Sequence, residues 1–225
     1  MREAPSYIRN AALRPLLSAI LAEGGPAPLV LLPGVCAGWP KDERTIARIA
    51  AESNATTLFE CVRRGWRVAD ADGQVQEWAS WQTFGSSREA DRDPGLVEAL
   101  VAAAERGGER RLRLGGHDIG LLACGENNVL RNAQSQGNEV SVRHGASDRL
   151  FPGATVIFNG AHTEMGNLGK MWRRFAWLSA DPPGTKPRLA LFGTNNTKGS
   201  WGRTLGAWWG GEKLATGAKV LPLGA

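Results

Sequence analysis

Apolar positions along this chain fall into two rhythms. Leu13, Leu16, Leu17, Ile20 and Leu21 recur three and four residues apart, the spacing of one helix face. Pro15 suits a first helical turn and Gly24 a stop, so a helix is predicted over 14–24. The same spacing at Ile46, Ile49 and Ala50 predicts a helix over 42–51. Leu96, Val97, Leu100, Val101 and Ala104 predict a third over 93–107, opened by Asp93-Pro94 and closed by Gly107. A fourth is predicted over 168–180.

The other rhythm is the short continuous apolar run. The segment 28–32, ended by Pro33-Gly34, reads as a buried strand. So do 119–123, 154–158 and 188–193, and 110–114, joined to 119–123 at Gly115-Gly116, is also predicted as a strand. Strands over 56–61 and 66–69 are followed by Asp72-Gly73, a hairpin signal, and a return strand over 74–78. One more strand is predicted over 204–208. Leu121, Leu122, Val156, Ile157, Leu189 and Leu191 are read as core. Strands and helices alternate throughout, with no repeat and no low-complexity linker, which predicts layered α/β architecture in one domain over 1–225.

Composition changes this picture little. Apolar residues make up 42% and charged residues 22%, ordinary for a globular chain and unlike a disordered tail or a disulfide scaffold. No apolar run approaches bilayer length, and no secretory signal is read at the front. Three cysteines, Cys36, Cys61 and Cys124, fit reduced thiols in the cytoplasm. Twenty-seven basic against 22 acidic residues give +5. The arginines form short clusters, such as Arg63/Arg64/Arg67, Arg110/Arg111/Arg113 and Arg173/Arg174, interleaved with acids. They read as solvated faces rather than a nucleic-acid surface. A basic, Trp-rich nucleic-acid binder would need those clusters and the nine Trp on one face. His and Cys are scattered without metal-ligand spacing, so no metal site is expected.

One segment carries chemistry. Leu121-Leu122-Ala123-Cys124-Gly125-Glu126 ends an apolar strand on a cysteine and follows it at once with glycine. Gly125 permits a sharp turn, which would hold a thiol at the sheet's carboxyl edge, a thiol version of a nucleophile elbow. The plain alternative is a small buried Cys ending a core strand. Glu126, two residues on, suits the capping of backbone N–H groups as well as contact with substrate. His162, after a strand end, is either a loop residue or part of a pocket wall.

From Leu114 to Trp209 the chain resembles the carbon–nitrogen hydrolase (nitrilase/amidase) family. The resembling residues are the Cys124 segment, Gly153-Ala154-Thr155-Val156-Ile157-Phe158-Asn159, the run from Trp172 to Ser179, and Arg188 to Asn196. Upstream, 24–33 resembles the family's entry to its first catalytic position. Asp72-Gly73-Gln74-Val75 with Trp81-Gln82-Thr83-Phe84-Gly85 resembles the segment leading to its lysine. The resemblance implies an α-β-β-α layered sandwich of the nitrilase type, often paired into homo-oligomers. It also implies cleavage of a non-peptide C–N bond in a small amide, carbamoyl compound or nitrile, without metal or organic cofactor. On the matching positions it implies Cys124 as nucleophile and Glu89 as the second, catalytic family glutamate. Glu126, Asn159 and His162 are expected near substrate.

The sequence also departs from the family. Gly34 stands where the family has its glutamate base, and Trp81 where it has its lysine. Glu60, Glu89 and Glu126 are candidate replacement bases, and Lys41 and Lys170 candidate replacement cations. A thiol without a base stays protonated at neutral pH, so weak or absent hydrolysis is expected. Two readings stand side by side: a hydrolase acting through Cys124, and a non-catalytic nitrilase-fold binding protein. The latter resembles the nitrilase-like domain of TraB-type conjugal-transfer proteins, whose front membrane segments are not seen here.

Overall fold

The computed structural model describes residues 29–37, 40–61, 64–79, 82–106, 109–114, 117–133, 139–161, 167–180, 188–194 and 205–214. They fall into two compact units, divided after residue 81. The helix predicted over 14–24 lies outside the described residues.

The first unit is a four-stranded sheet of order β1-β2-β3-β4 with one helix. Its elements are β1 (Leu29–Ala37), α1 (Pro40–Glu52), β2 (Thr56–Cys61), β3 (Gly65–Ala69) and β4 (Val75–Ala79). β1 and β2 are parallel and β2, β3 and β4 antiparallel. The parallel pair requires a crossover, and α1 supplies it. Ile46, Ile49 and Ala50 of that helix are buried with Val30, Leu32 and Phe59 of the sheet. At the predicted Asp72-Gly73 turn, the Asp70 carboxylate accepts the Asp72 and Gln74 N–H groups. One expectation is corrected here. Pro33-Gly34 does not end β1, which continues to Ala37 across a register shift between Leu31 and Val35. β1 is an edge strand, the place in a sheet where a missing proline N–H is tolerated.

The second unit holds the cysteine. A six-stranded mixed sheet has the order β12-β11-β10-β9-β6-β5. Its strands are β5 (Arg111–Leu114), β6 (His117–Leu122), β9 (Val156–Ala161), β10 (Leu189–Thr194), β11 (Leu205–Trp209) and β12 (Glu212–Lys213). β6, β9 and β10 run parallel at its centre, and β9 is buried at every position, as parallel strands covered on both faces are. The helices are α2 (Ser87–Arg92), α3 (Pro94–Arg106) and α4 (Leu168–Ser179). From α4, Phe175 packs on Phe192 of β10 and Trp208 of β11, with ring centroids 5.5 and 5.1 Å apart. Phe151 lies over β6 at Gly120, where a Cβ would come within 2.7 Å of its ring.

Ordered against expectation, Leu121, Leu122, Val156 and Ile157 are core, but Leu189 and Leu191 are only half-buried. Side chains alternate across a strand. Phe192 faces α4, so Leu189 and Leu191 occupy the other face of β10. The small hairpin β7 (Leu130–Ala133) and β8 (Glu139–Val142) and the six-residue α2 were not foreseen. No helix among the described residues is long and apolar enough to cross a membrane.

Candidate active site

The central strand β6 ends at Leu122, and Ala123 and Cys124 carry the chain to Gly125, whose φ is 83°. That left-handed value disfavours every residue with a Cβ. A second constraint acts at the same atom: a Cβ on Gly125 would lie 2.6 Å from the Gly85 carbonyl oxygen. The segment 82–85 is therefore pressed against the turn. A single turn of 3-10 helix, Glu126–Val129, follows. Cys124 is 2% exposed and is not part of a disulfide.

Buried polar groups hold this elbow from three sides. Glu126 is fully buried. One carboxylate oxygen accepts the Thr83 N–H at 2.6 Å and Arg110 Nη2 at 2.8 Å. The other accepts the Ala123 N–H at 2.8 Å. Arg110 is itself 2% exposed and is fixed beside β6, its carbonyl accepting the Leu121 N–H. On β9, Asn159 pairs in register with Leu122. Its Nδ2 donates to the Leu122 and Ala123 carbonyls at 2.7 and 3.0 Å, and its Oδ1 accepts from Asn127 Nδ2. From α4, Arg174 donates to the Asn127 carbonyl and to the side-chain oxygens of Asn127, Asn128 and Asn132. Burial, and next the charge of Arg143, push its guanidinium down to about 10.

These contacts say what the candidate residues do. Glu126 holds one guanidinium and two backbone N–H groups, those of Thr83 and Ala123, which lie outside its own helical turn. It thus ties the strand end and the segment 82–85 together rather than capping that turn, and the ion pair was not revealed by the sequence. Asn159 is fully buried and turned to the strand end and to Asn127. Glu89 is exposed. Its carboxylate accepts the Gly85 N–H at 2.7 Å, and its own N–H donates to Ser86 Oγ, so Ser86 caps the start of α2 and Glu89 holds the residue before the cap. The structure thus gathers Cys124, Glu126 and Asn159 at one turn and places Glu89 four residues beyond Gly85, on the segment pressed against it. His162 and Trp81 lie outside the described residues. Lys41 is exposed on α1, Lys170 half-buried on α4 and Glu60 buried on β2; Gly34 lies within β1.

The solvated-face reading of the arginine clusters needs correction at three positions. Arg67, Arg110 and Arg174 are 4%, 2% and 8% exposed. Each has acceptors far along the chain: Glu77 for Arg67, Glu126 for Arg110 and the asparagines for Arg174. A guanidinium with five donors is buried where such partners meet it, and no local spacing signals that. Cys61 lies in the first unit, buried on β2. Burial, then the Glu43 charge, push its thiol up to about 12. No group of three or more His, Cys, Asp or Glu able to hold a metal occurs among the described residues.

No protein-family model matches the chain, and no curated protein matches it. Solved structures do. It is similar to XC1258 from Xanthomonas campestris, a CN-hydrolase superfamily protein with an arsenic adduct in its active site. The TM-score is 0.50 at 13% identity, over 93% of this chain and 81% of that one. It is similar to an amidase from Nesterenkonia sp., with a TM-score of 0.51 at 14% identity over 95% and 82% of the two chains. A variant of that amidase, bearing the acetamide moiety of fluoroacetamide on its active-site cysteine, gives 0.54 at 14% identity over the same shares. At such identities the likeness is one of fold: a mixed α/β chain built like the nitrilase-superfamily amidases.

Proposed function

We propose that this chain is a carbon–nitrogen hydrolase-like protein in which Cys124 is the nucleophile toward a non-peptide C–N bond in a small amide, carbamoyl compound or nitrile. The observation that carries the proposal is Cys124 itself, at the end of a central parallel strand on a left-handed Gly125 turn, in a fold shared with amidases that have an active-site cysteine. The proposal includes the finer architecture, an α-β-β-α sandwich in one domain, a homo-oligomeric state and a cytoplasmic setting that keeps thiols reduced.

The chemistry sets the demands. The thiolate adds to the carbonyl carbon, and the carbonyl π electrons move onto oxygen. The resulting oxyanion collapses, and the amine leaves with a proton. Water then cleaves the thioester to the acid and the free thiol. A base must take the thiol proton and a donor must hold the oxyanion. Glu126 is engaged by Arg110 and two backbone N–H groups, so in this reading it and Asn159 hold the elbow. Glu89, with its carboxylate on the Gly85 N–H, positions the 82–85 segment. Turnover is accordingly slow. Losing one oxyanion donor alone costs ~10²–10³ in rate, and here the family's lysine position is Trp81.

The same observations favour a second reading, a non-catalytic relative that keeps the fold and binds a ligand or partner. A hydrolysis assay over primary amides, carbamoyl compounds and nitriles, run on the native chain and on Cys124→Ala, separates the two. The first reading expects turnover well below ~10 s⁻¹ that vanishes in Cys124→Ala. No turnover in either protein supports the second. Turnover that survives the substitution removes Cys124 as nucleophile.

A further inference from the structure

A helix of six residues does not hold itself, since isolated helices shorter than ~12–15 residues are marginal in water. Ala90 is the buried residue of α2, so polar ties must supply what an apolar stripe would. Two such ties come from neighbouring residues of a short 3-10 turn, Arg143–Gly145, which follows β8. Arg143 Nη1 donates to the Asp91 carboxylate. His144 Nε2 donates to the Ala90 carbonyl at 2.8 Å. His144 has a φ of 57°, a left-handed value that persists in a non-glycine residue only where its surroundings impose it.

The same guanidinium has a second attachment. Arg143 is buried, and its Nε donates to the Asn128 carbonyl, in the turn directly behind Cys124. Asn128 closes that turn: its N–H and its Nδ2 both donate to the Gly125 carbonyl at 2.9 Å. One planar fork thus joins the turn after the cysteine to α2. A ring of contacts results. Two residues before Asp91 stands Glu89, whose carboxylate accepts the Gly85 N–H. The Gly85 backbone lies against Gly125, and Gly125 leads through Asn128 back to Arg143. Ala90 and Cys124 are buried in one core cluster.

We propose that Arg143 is a positioning residue for Cys124: its fork fixes α2, and with it the segment 82–85, against the turn that sets the direction of the thiol. The inference rests on Cys124 as the nucleophile. It asks for geometry rather than charge. A guanidinium makes two directed bonds from one rigid plane, whereas a lysine ammonium is a single point on a flexible stem. Misplacing a reacting group by ~1 Å costs up to ~10² in rate.

The experiment follows the rate of Cys124 alkylation by iodoacetamide from pH 6 to 10 in the full chain, by peptide mass mapping. Sulfur must approach carbon in line with the departing iodide, so this rate reads the direction of the thiol. It is expected to fall at least tenfold in Arg143→Met and equally in Arg143→Lys, with the midpoint of the pH profile unmoved. Arg67→Met is the matched control, because Arg67 is also a buried arginine paired with an exposed acid, Glu77, in the other unit. It is expected to leave the rate within twofold. Circular dichroism checks folding. Should the Arg143 variants not fold, Asp91→Asn, at an exposed residue, carries the test with a severalfold fall. A native rate in Arg143→Lys or Asp91→Asn, faster labelling in any of these variants, or an equal fall in Arg67→Met overturns the inference and leaves the nucleophile standing. A folded native chain in which Cys124 is not labelled overturns the nucleophile, and the inference with it.

Discussion

Glu126 is the side chain on which the elbow's energetics turn. Its carboxylate and the Arg110 guanidinium are both removed from water, and a charge left alone in such a place costs ~3–5 kcal/mol. Glu126→Gln keeps the shape but removes the carboxylate charge that Arg110 Nη2 meets. It is expected to lower stability by that amount in urea denaturation, and Arg110→Met in the same background to recover part of it. Cys61 gives a second, pH-dependent expectation. Its thiol moves from the ordinary 9.0 up to about 12 on folding. Below pH 9 it is neutral in both states, and its contribution to stability is intact. Between pH 9 and about 12 the unfolded chain loses this proton and the folded chain holds it, so stability falls with rising pH. The slope is ~1.4 kcal/mol per pH unit at most. Denaturation series from pH 8 to 11 are expected to show a shallower decline in Cys61→Ala than in the native chain.

The elements around the site rest on local signals of unequal strength. Ser86 caps a helix of only six residues through the Glu89 N–H, and the Glu89 carboxylate holds the Gly85 N–H on the segment that lies against Gly125. Ser86→Ala is expected to cost ~1 kcal/mol and to raise amide exchange at Gly85, read by hydrogen-exchange NMR. The Ser86-x-x-Glu89 pattern was legible in the sequence. It passed unseen because α2 is polar and exposed at five of its six positions and has no apolar stripe. Strands β6, β9 and β10 were legible because continuous apolar runs mark buried strands, β4 because Asp72-Gly73 marked its hairpin, and Cys124-Gly125 because a strand ended there on a reactive residue type. The hairpin β7–β8 was not, since the sequence around it is rich in Asn, Gln, Ser and Arg and alternates weakly. Arg110, Arg174 and Asn127 were missed for a different reason. Their partners lie 16 to 47 residues away, and a pairing across that distance leaves no periodic trace.

At the scale of the whole molecule, the fold outlasts sequence likeness: 13–15% identity accompanies an arrangement shared over more than nine-tenths of this chain. Such a fold is indifferent to whether the chemistry is retained, which makes the thiol itself the place to ask. Cys61 at about 12 holds on the order of one part in ten thousand as thiolate at pH 8. Cys124 sits instead where the chain leaves the sheet. The most direct measurement is brief alkylation of the folded protein at pH 8 with substoichiometric iodoacetamide, itself a small primary amide, followed by peptide mass mapping. The expected result is carbamidomethylation at Cys124 ahead of Cys36 and Cys61. Labelling of Cys36 or Cys61 first, with Cys124 unmodified until the protein is unfolded, would contradict a nucleophile at the elbow.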